Sequence, residues 1–348
     1  MSTKSEEHIL AIRLSAMGDV AMMVPVLIAL TQQHPEVKVT VVSRGFFKPI
    51  FKDLPNVFFH EVDTKETHKG ILGIYRLYRE LVRLEVSAVA DLHNVLRSNI
   101  LNILFLSREI PTQQINKGRS EKRALTRSKN KQFLQLRTTH ERYADVFRKL
   151  HFPIVLKKEH TLPKRKLTDS IYNVVGKDVS KWIGIAPFAA FQGKTYPLKL
   201  MEQAIKEMAL GKQVKTLLFG SKAEMSKLIE IEKKYPHVVC VAGKLNFEEE
   251  LILISNLDLM VSMDSGNAHL AAMFGIKTIT LWGVTHPYAG FYPYCQSQEL
   301  ALLANREQYP LIPTSVYGNK APEGYEKSIE TIKPETLAQK VLKELNLG

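Results

Sequence analysis

The chain is predicted to be an α/β protein built from two doubly wound domains, and three observations predict it. Its 348 residues suit about two domains at ~100–200 residues each. Short β-branched apolar runs alternate with amphipathic helical spacings, the pattern that gives parallel sheets through right-handed crossovers. The alternation also comes in two blocks of similar plan, separated by the polar, basic stretch Leu156–Lys181 with its Pro163 and Gly176. Two such Rossmann-like blocks suggest domains facing each other across a cleft, with ligands at the carboxyl ends of the strands.

In the first block, Ile9–Leu14, Val37–Val42, Val57–Val62 and Val86–Leu92 read as strands, and Val20–Gln33 and Ile71–Leu84 as helices. Ile71, Ile74, Tyr75, Tyr78, Leu81 and Val82 keep the three-four spacing of one buried face. Arg108–Arg137 shows no strand and reads as a long basic excursion of the first domain. In the second block, Trp182–Ala186, Lys215–Phe219, Val238–Val241, Leu257–Ser262 and Thr278–Trp282 are strand-like. Leu198–Leu210, Ala223–Lys234, Phe247–Asn256 and Asn267–Phe274 are the helices between them. The domains are accordingly expected over 1–165 and 177–330. A last helix, Pro334–Leu347, opens on a proline in its first turn and is expected to pack back on the first domain. No repeat at a solenoid period is visible.

Apolar residues make up 45% and charged residues 24%, which excludes a disordered or fibrous chain. Two cysteines, Cys240 and Cys295, give no disulfide framework and suit a reducing cytoplasm. Met1–His8 is polar, the apolar stretch after it is too short for a signal peptide, and no run approaches ~20 apolar residues. The expectation is a soluble, cytoplasmic protein able to touch a membrane surface. The net charge of +13 is uneven: residues 1–176 hold 29 of the 48 Lys+Arg but 17 of the 35 Asp+Glu. Arg108–Lys149 alone carries 12 basic and 4 acidic residues. Either this is a solvated basic face or it meets an anionic partner: nucleic acid, phospholipid or acidic glycolipid. Phe133 is the only aromatic between Ser107 and Arg142, so base stacking, and with it nucleic acid, is disfavoured.

Four turns carry candidate chemistry. Leu14–Val20 joins the first strand to the first helix; Gly18 permits close backbone approach, and the following helix offers free amides. It lacks the three glycines of a dinucleotide fingerprint and the Gly-Lys-Ser/Thr of a P-loop. Asp19 in it is either a helix N-cap or a general base facing the ligand end of the sheet. Asp264-Ser265-Gly266-Asn267-Ala268-His269 follows a very apolar strand and opens a helix. Ser265 and Gly266 can set amides and a hydroxyl against a diphosphate, with His269 one turn on; the plain alternative is a capped helix with a surface histidine. The loop Ala186–Pro197 offers Lys194 beside Gly193, as a phosphate counter-charge or a solvated lysine. Glu224, in Phe219–Glu224, either holds ribose hydroxyls or favours the start of a helix. No H-x-x-x-H, C-x-x-C or D-x-D pattern points to a metal, and no Gly-x-Ser-x-Gly elbow to a serine hydrolase.

Over most of its length the chain resembles the ADP-heptose:lipopolysaccharide heptosyltransferases, glycosyltransferase family 9, inverting enzymes of the GT-B fold. Five segments in order carry the likeness: Ile12–Asp19, Asp91–Ser98, Phe219–Glu224, Met263–Ala272 and Trp282–Pro287. The resemblance implies Asp19 as general base, Lys194 and the Ser265–His269 turn on the diphosphate, Glu224 on the ribose, and Asp264 on the transferred sugar. It implies a nucleoside-diphosphate sugar, ADP-heptose, as co-substrate and no cofactor or metal. Arg97 with the basic segment Lys117–Lys131, including Arg119, Lys122 and Arg123, becomes the dock for an acidic lipopolysaccharide-core acceptor, with peripheral contact at the cytoplasmic face of the inner membrane. Two departures stand out: His286 stands where the family often has the aspartate of Gly-Pro-Thr-Asp-Pro, and Thr314–Lys320 is not matched to a segment of the best-known members. Two other functions fit the same residues less well. A sugar-nucleotide epimerase of this architecture would convert its substrate without an acceptor. A non-catalytic binder of nucleotide or anionic lipid would show salt-sensitive binding only.

Overall fold

The computed structural model describes residues 7–177, 180–210 and 214–347. Residues 1–6, most of the polar N-terminal stretch, lie outside them. The chain divides into two compact units, one of residues 7–117 and 139–162, the other of 118–138 and 163–347.

The first unit starts with β1 (His8–Ile12), α1 (Met17–Ala21), α2 (Val24–Gln33), β2 (Lys38–Ser43), β3 (Val57–Glu61), α3 (Gly70–Val82), β4 (Ala88–Asp91), α4 (Leu96–Leu106) and β5 (Thr112–Gln114). Its strands are parallel in the order β3-β2-β1-β4-β5. The single helix expected over Val20–Gln33 is two, because Pro25 lacks the amide of a helix interior and is placed in the first turn of α2. β5 corrects the reading that Arg108–Arg137 has no strand. Its residues, Thr-Gln-Gln, carry no apolar pattern, and the strand exists through edge pairing of Val89 with Thr112. α3 buries Ile74, Leu77, Tyr78 and Leu81 against Leu101 and Phe105 of α4. Ile71 and Tyr75, expected on that face, are 76% and 50% exposed. Tyr75 lies one residue, ~100°, round the helix from Ile74, and Ile71 projects from the first turn.

At Gly118 the chain passes into the second unit, forms α5 (Arg119–Thr126), and returns to the first as α6 (Thr139–Lys149). The structure thus places 118–138 apart from the first domain in which the sequence set it. Contacts made by its cations explain this. Lys131 Nζ donates to the carbonyls of Leu125 (3.0 Å), Leu311 (2.7 Å) and Pro313 (2.7 Å). Phe133 stacks on Tyr288 at 4.9 Å and lies 3.5 Å below the Arg306 guanidinium. These residues read as solvated charge in sequence because, Leu125 apart, their partners lie more than 150 positions away.

The rest of the second unit comprises α7 (Asp169–Val175), β6 (Lys181–Ala186), α8 (Leu198–Met208), β7 (Val214–Leu218), α9 (Met225–Glu232), β8 (Val238–Cys240), α10 (Phe247–Ile254), β9 (Leu259–Met263), α11 (Gly266–Ala272), β10 (Thr278–Trp282), β11 (Ala301–Leu303) and α12 (Pro334–Glu344). Its parallel sheet runs β11-β10-β9-β6-β7-β8. Ile183, Ile185, Val261, Met263 and Leu281 fill the core. α10 starts with a reciprocal capping box between Asn246 and Glu249. α12 packs on α8 of its own unit, adding Leu337, Ala338 and Val341 to the core there, where the sequence had suggested the first domain.

Candidate active site

In an open parallel sheet, ligands bind where the strand order reverses direction, beyond the carboxyl ends of the two strands at that point. In the first unit that point lies between β1 and β4, in the second between β6 and β9. The turn holding Asp19 follows β1, and His93 follows β4. The loop holding Lys194 follows β6, and Asp264-Ser265 follows β9. Each unit therefore brings its strongest candidates to its own switch point.

In the first unit Asp19 stands at the third position of α1, and Ala16 takes the cap position for which Asp19 was a candidate. Its Oδ2 accepts the Ala16 amide at 3.4 Å and forms an ion pair with Arg13. The Arg13 side chain is 8% exposed and that of Asp19 24%, so the carboxylate is held from behind and open in front. Arg13 also donates to Leu92 O at 2.8 Å, which ties the ends of β1 and β4 together. Burial opposes the charge of Arg13, but Tyr143 and Asp19 outweigh it and raise its pKa above the ordinary value. Tyr143, fully buried, donates its hydroxyl to Asp19 O at 3.2 Å. His93 is pushed down to about 3 by burial and by Arg13 and Lys117, so it is neutral at pH 7. Its Nδ1 accepts the Leu14 amide at 3.4 Å, which leaves the proton on Nε2. Asp91 braces this turn, accepting the amides of His93 and Asn94 at 2.8 Å each.

In the second unit Lys194 Nζ lies 3.4 Å from Asp264 Oδ2, with side chains only 13% and 9% exposed. Three loops meet there because two glycines let backbone approach. A Cβ on Gly283 would sit 2.3 Å from Gly193 O, and one on Gly318, at φ +82°, would sit 2.4 Å from Lys194 Cγ. Gly318 belongs to the Thr314–Lys320 stretch that the family likeness left unplaced. That stretch is a turn in which Ser315 Oγ accepts the amides of Tyr317 and Gly318. Ser265 precedes α11 in extended conformation, but its hydroxyl bonds Ser262 Oγ at 3.0 Å and does not cap the helix. His269 is buried inside α11, against the alternative of a surface histidine. Glu224 folds back so that Oε2 accepts the Ser221 amide at 2.7 Å and hydroxyl at 2.8 Å. His286 is buried, and its Nδ1 accepts the Tyr288 amide at 3.1 Å, so the ring caps the short turn that follows it.

The five residues expected to hold the acceptor are divided between the units: Arg97 and Lys117 in the first, Arg119, Lys122 and Arg123 in the second. Arg97 donates to His68 O. Lys122 is buried with Nζ 4.0 Å above the Phe291 ring, whereas Arg119 and Arg123 are exposed on α5. Arg13, His93 and Tyr143 had no assigned role from sequence. Arg13 carried a signal, since a guanidinium at the end of an apolar strand must find a carboxylate, and Asp19 is the next acid along the chain. Tyr143 carried none. Among the described residues, no group of three or more His, Cys, Asp or Glu converges as metal ligands would.

Comparison with known proteins agrees with this architecture. The chain is 24% identical to the lipopolysaccharide core heptosyltransferase OpsX of Haemophilus influenzae over 302 residues, 82% of this chain and 81% of that protein. A glycosyl transferase family 9 structure from Veillonella parvula superposes with a TM-score of 0.74 at 18% identity, covering 99% of this chain and 98% of that one. The ADP-heptose lps heptosyltransferase II of E. coli gives 0.68 at 18% identity, over 97% and 98%. The fold is therefore GT-B. The sequence profile of glycosyltransferase family 9 (heptosyltransferase) matches residues 74–318, well over half the chain, and the protein belongs to that family.

Proposed function

We propose that this glycosyltransferase moves heptose from ADP-heptose to an acidic lipopolysaccharide-core acceptor, with inversion and without a metal. The observation that carries the reading is the buried Lys194–Asp264 pair at the switch point of the second unit, beside a helix start that the Ser265 side chain leaves uncapped. A sugar diphosphate fits that chemistry. Lys194 and the first amides of α11 meet the diphosphate, Asp264 accepts from sugar hydroxyls, and the Glu224 oxygen not used by Ser221 accepts from the ribose. The names of the related proteins supply the finer terms: one acts with ADP-heptose, another on a lipopolysaccharide core.

In the reaction an acceptor hydroxyl attacks the anomeric carbon opposite the leaving diphosphate, and its proton passes to Asp19. Arg13 and the Ala16 amide hold that carboxylate in place. General-base assistance of this kind contributes ~10²–10⁴-fold. Negative charge developing on the diphosphate is met by Lys194 and oriented amides, so charge neutralisation does not call for a metal. Transfer by Asp19→Asn and Asp19→Ala tests the base: rates near wild type would remove Asp19 from that role. A thermal-shift comparison of ADP, UDP, GDP and CDP sugars tests the donor. ADP-heptose is expected to stabilise most, by about 2.7 kcal/mol at a hundredfold excess over Kd, and a larger effect of another nucleotide would overturn it.

A further inference from the structure

The proposed reaction leaves one polar group at the ligand end of the first sheet without a task. His93 is 9% exposed, yet its Nε2 makes no hydrogen bond among the described residues and is not sealed from solvent. The other ring nitrogen is committed. An amide can only donate, so the bond from Leu14 N at 3.4 Å makes Nδ1 the acceptor and puts the proton on Nε2. Burial and the charges of Arg13 and Lys117 keep the ring neutral at pH 7, so Nε2–H is a fixed donor and not an acid that gives its proton away. A polar group this deeply buried gains from a partner, and the open edge of the ring is where one can arrive.

Hydrogen bonds tie this ring to the proposed base. Arg13 pairs through Nη2 with Asp19 and donates through Nη1 to the carbonyl of Leu92, the residue before His93. Leu14, whose amide meets the ring, accepts Arg44 Nε on its carbonyl at 3.0 Å. The charges that reach His93 are those of Arg13, Lys117, Asp19 and Arg44. The acids nearby are already engaged. Asp19 is held by Arg13, and Asp91 accepts the amides of His93 and Asn94 and, at 2.7 Å, Asn102 Nδ2. Arg44 has no acid partner among the described residues; besides Leu14 O it meets the Phe47 ring, and it is exposed. A neutral N–H among cations, with the neighbouring acids paired, suits an anionic oxygen. The N–H adds a direction that point charges do not give.

We infer that His93 Nε2–H binds a carboxylate or phosphate oxygen of the acceptor, with Arg44 and Lys117 supplying charge, and so holds the attacking hydroxyl toward Asp19. That the ligand is an acceptor rests on the proposed function; the anion site does not. The test follows the ring by NMR in the full chain carrying isotopically labelled histidine, with the His93 signal identified by its loss in His93→Gln. Inorganic phosphate or acetate, added at fixed ionic strength, is expected to shift His93 Nε2 saturably, and glucose is not. Arg44→Gln is expected to weaken the response, and the anion that acts at the lower concentration shows whether a phosphate or a carboxylate is preferred. No shift, an equal shift with glucose, or a response that Arg44→Gln leaves unchanged would overturn the site. In transfer from ADP-heptose to a lipopolysaccharide-core acceptor, His93→Ala is expected to raise the acceptor KM roughly 10–100-fold and leave the donor KM unchanged. His93→Gln, whose amide can accept from Leu14 and donate outward, is expected to recover most of that loss, and thermal unfolding checks that the variants fold. An acceptor KM unchanged in His93→Ala would overturn the acceptor role and make the anion adventitious. A wild type that transfers to no such acceptor, while phosphate or acetate still shifts His93, would overturn the proposed function and leave the anion site standing.

Discussion

Replacing Arg13 by Met removes the cation behind Asp19 while keeping much of the side-chain volume. Two interactions go: the ion pair with Asp19 and the 2.8 Å hydrogen bond to Leu92 O. Breaking a fully buried pair costs about 3–5 kcal/mol. A charged hydrogen bond is worth about 1.5–3 kcal/mol. The Asp19 side chain is 24% exposed, so water recovers part of its solvation, and the two losses share one group. The net expectation is ~2–4 kcal/mol, or a melting shift of roughly 6–16 °C for a unit of this size. Activity should fall further than stability suggests. Asp19 loses the contact that aims it, and misplacement of a catalytic group by about an ångström costs ~10²-fold. The loss should appear in kcat, with the KM for ADP-heptose unchanged, because Lys194, Asp264 and Glu224 belong to the other unit. Arg13→Lys keeps the charge without the fork that reaches both partners and should fall between. Thermal unfolding with steady-state transfer, varying the donor, measures all of this. An Arg13→Met protein with unchanged melting and wild-type kcat would refute the role given to the pair.

Three further outcomes are expected. Lys194→Ala should reduce kcat/KM for the donor by ~10²–10³-fold and largely abolish thermal stabilisation by ADP, since both depend on the same ammonium; retained ADP stabilisation would place the diphosphate elsewhere. His286 is pushed down to about 4 by burial, Arg306 and Lys131, against an ordinary value of 6.5. Its contribution is fully present above pH 6.5 and is lost as pH falls through 4, a slope of up to about 3 kcal/mol. His286→Asn keeps a cap acceptor without a titrating ring, so calorimetry should show that slope flattened. Phe133→Ala removes the Tyr288 stack and the Arg306 cation–π contact, about 1–2 kcal/mol together. Limited trypsin digestion should then cut first at Arg119, Arg123 or Arg127, and an unchanged digestion pattern would show that the ring does not hold the segment.

Much of the architecture was legible because its signals are local. Thr278–Trp282 is a strand at the bounds its apolar run gave, and Asp264-Ser265 lies at a strand-to-helix turn as its neighbours implied. What was not legible depended on distant partners. β5 has no apolar pattern and exists through its neighbour. Lys131 reads as surface charge until Leu311 and Pro313 are brought to it. The spacing of α3 showed that a face is buried but not where its cover ends, so Ile71 and Tyr75 were placed inside. At the candidate site, sequence marked Asp19, Lys194 and Asp264 and left their supports unmarked. Tyr143 reaches Asp19 O from 124 positions away, a relation no local motif encodes.

The segment 118–138 also imposes an order on how the protein is made. The carbonyls that accept from Lys131 lie 180 and 182 residues further along the chain. At ~5–20 residues per second, a growing chain waits roughly 9–36 s between presenting Lys131 and supplying them. Through that interval α5 and Phe133 are without their final neighbours, whereas the first unit has all of its own residues once position 162 has been made. Expressing residues 1–165 alone would make that interval permanent. A soluble fragment of the first unit is better cut so that 118–138 is replaced by a short linker, and the second unit is better produced with that segment supplied as a separate peptide.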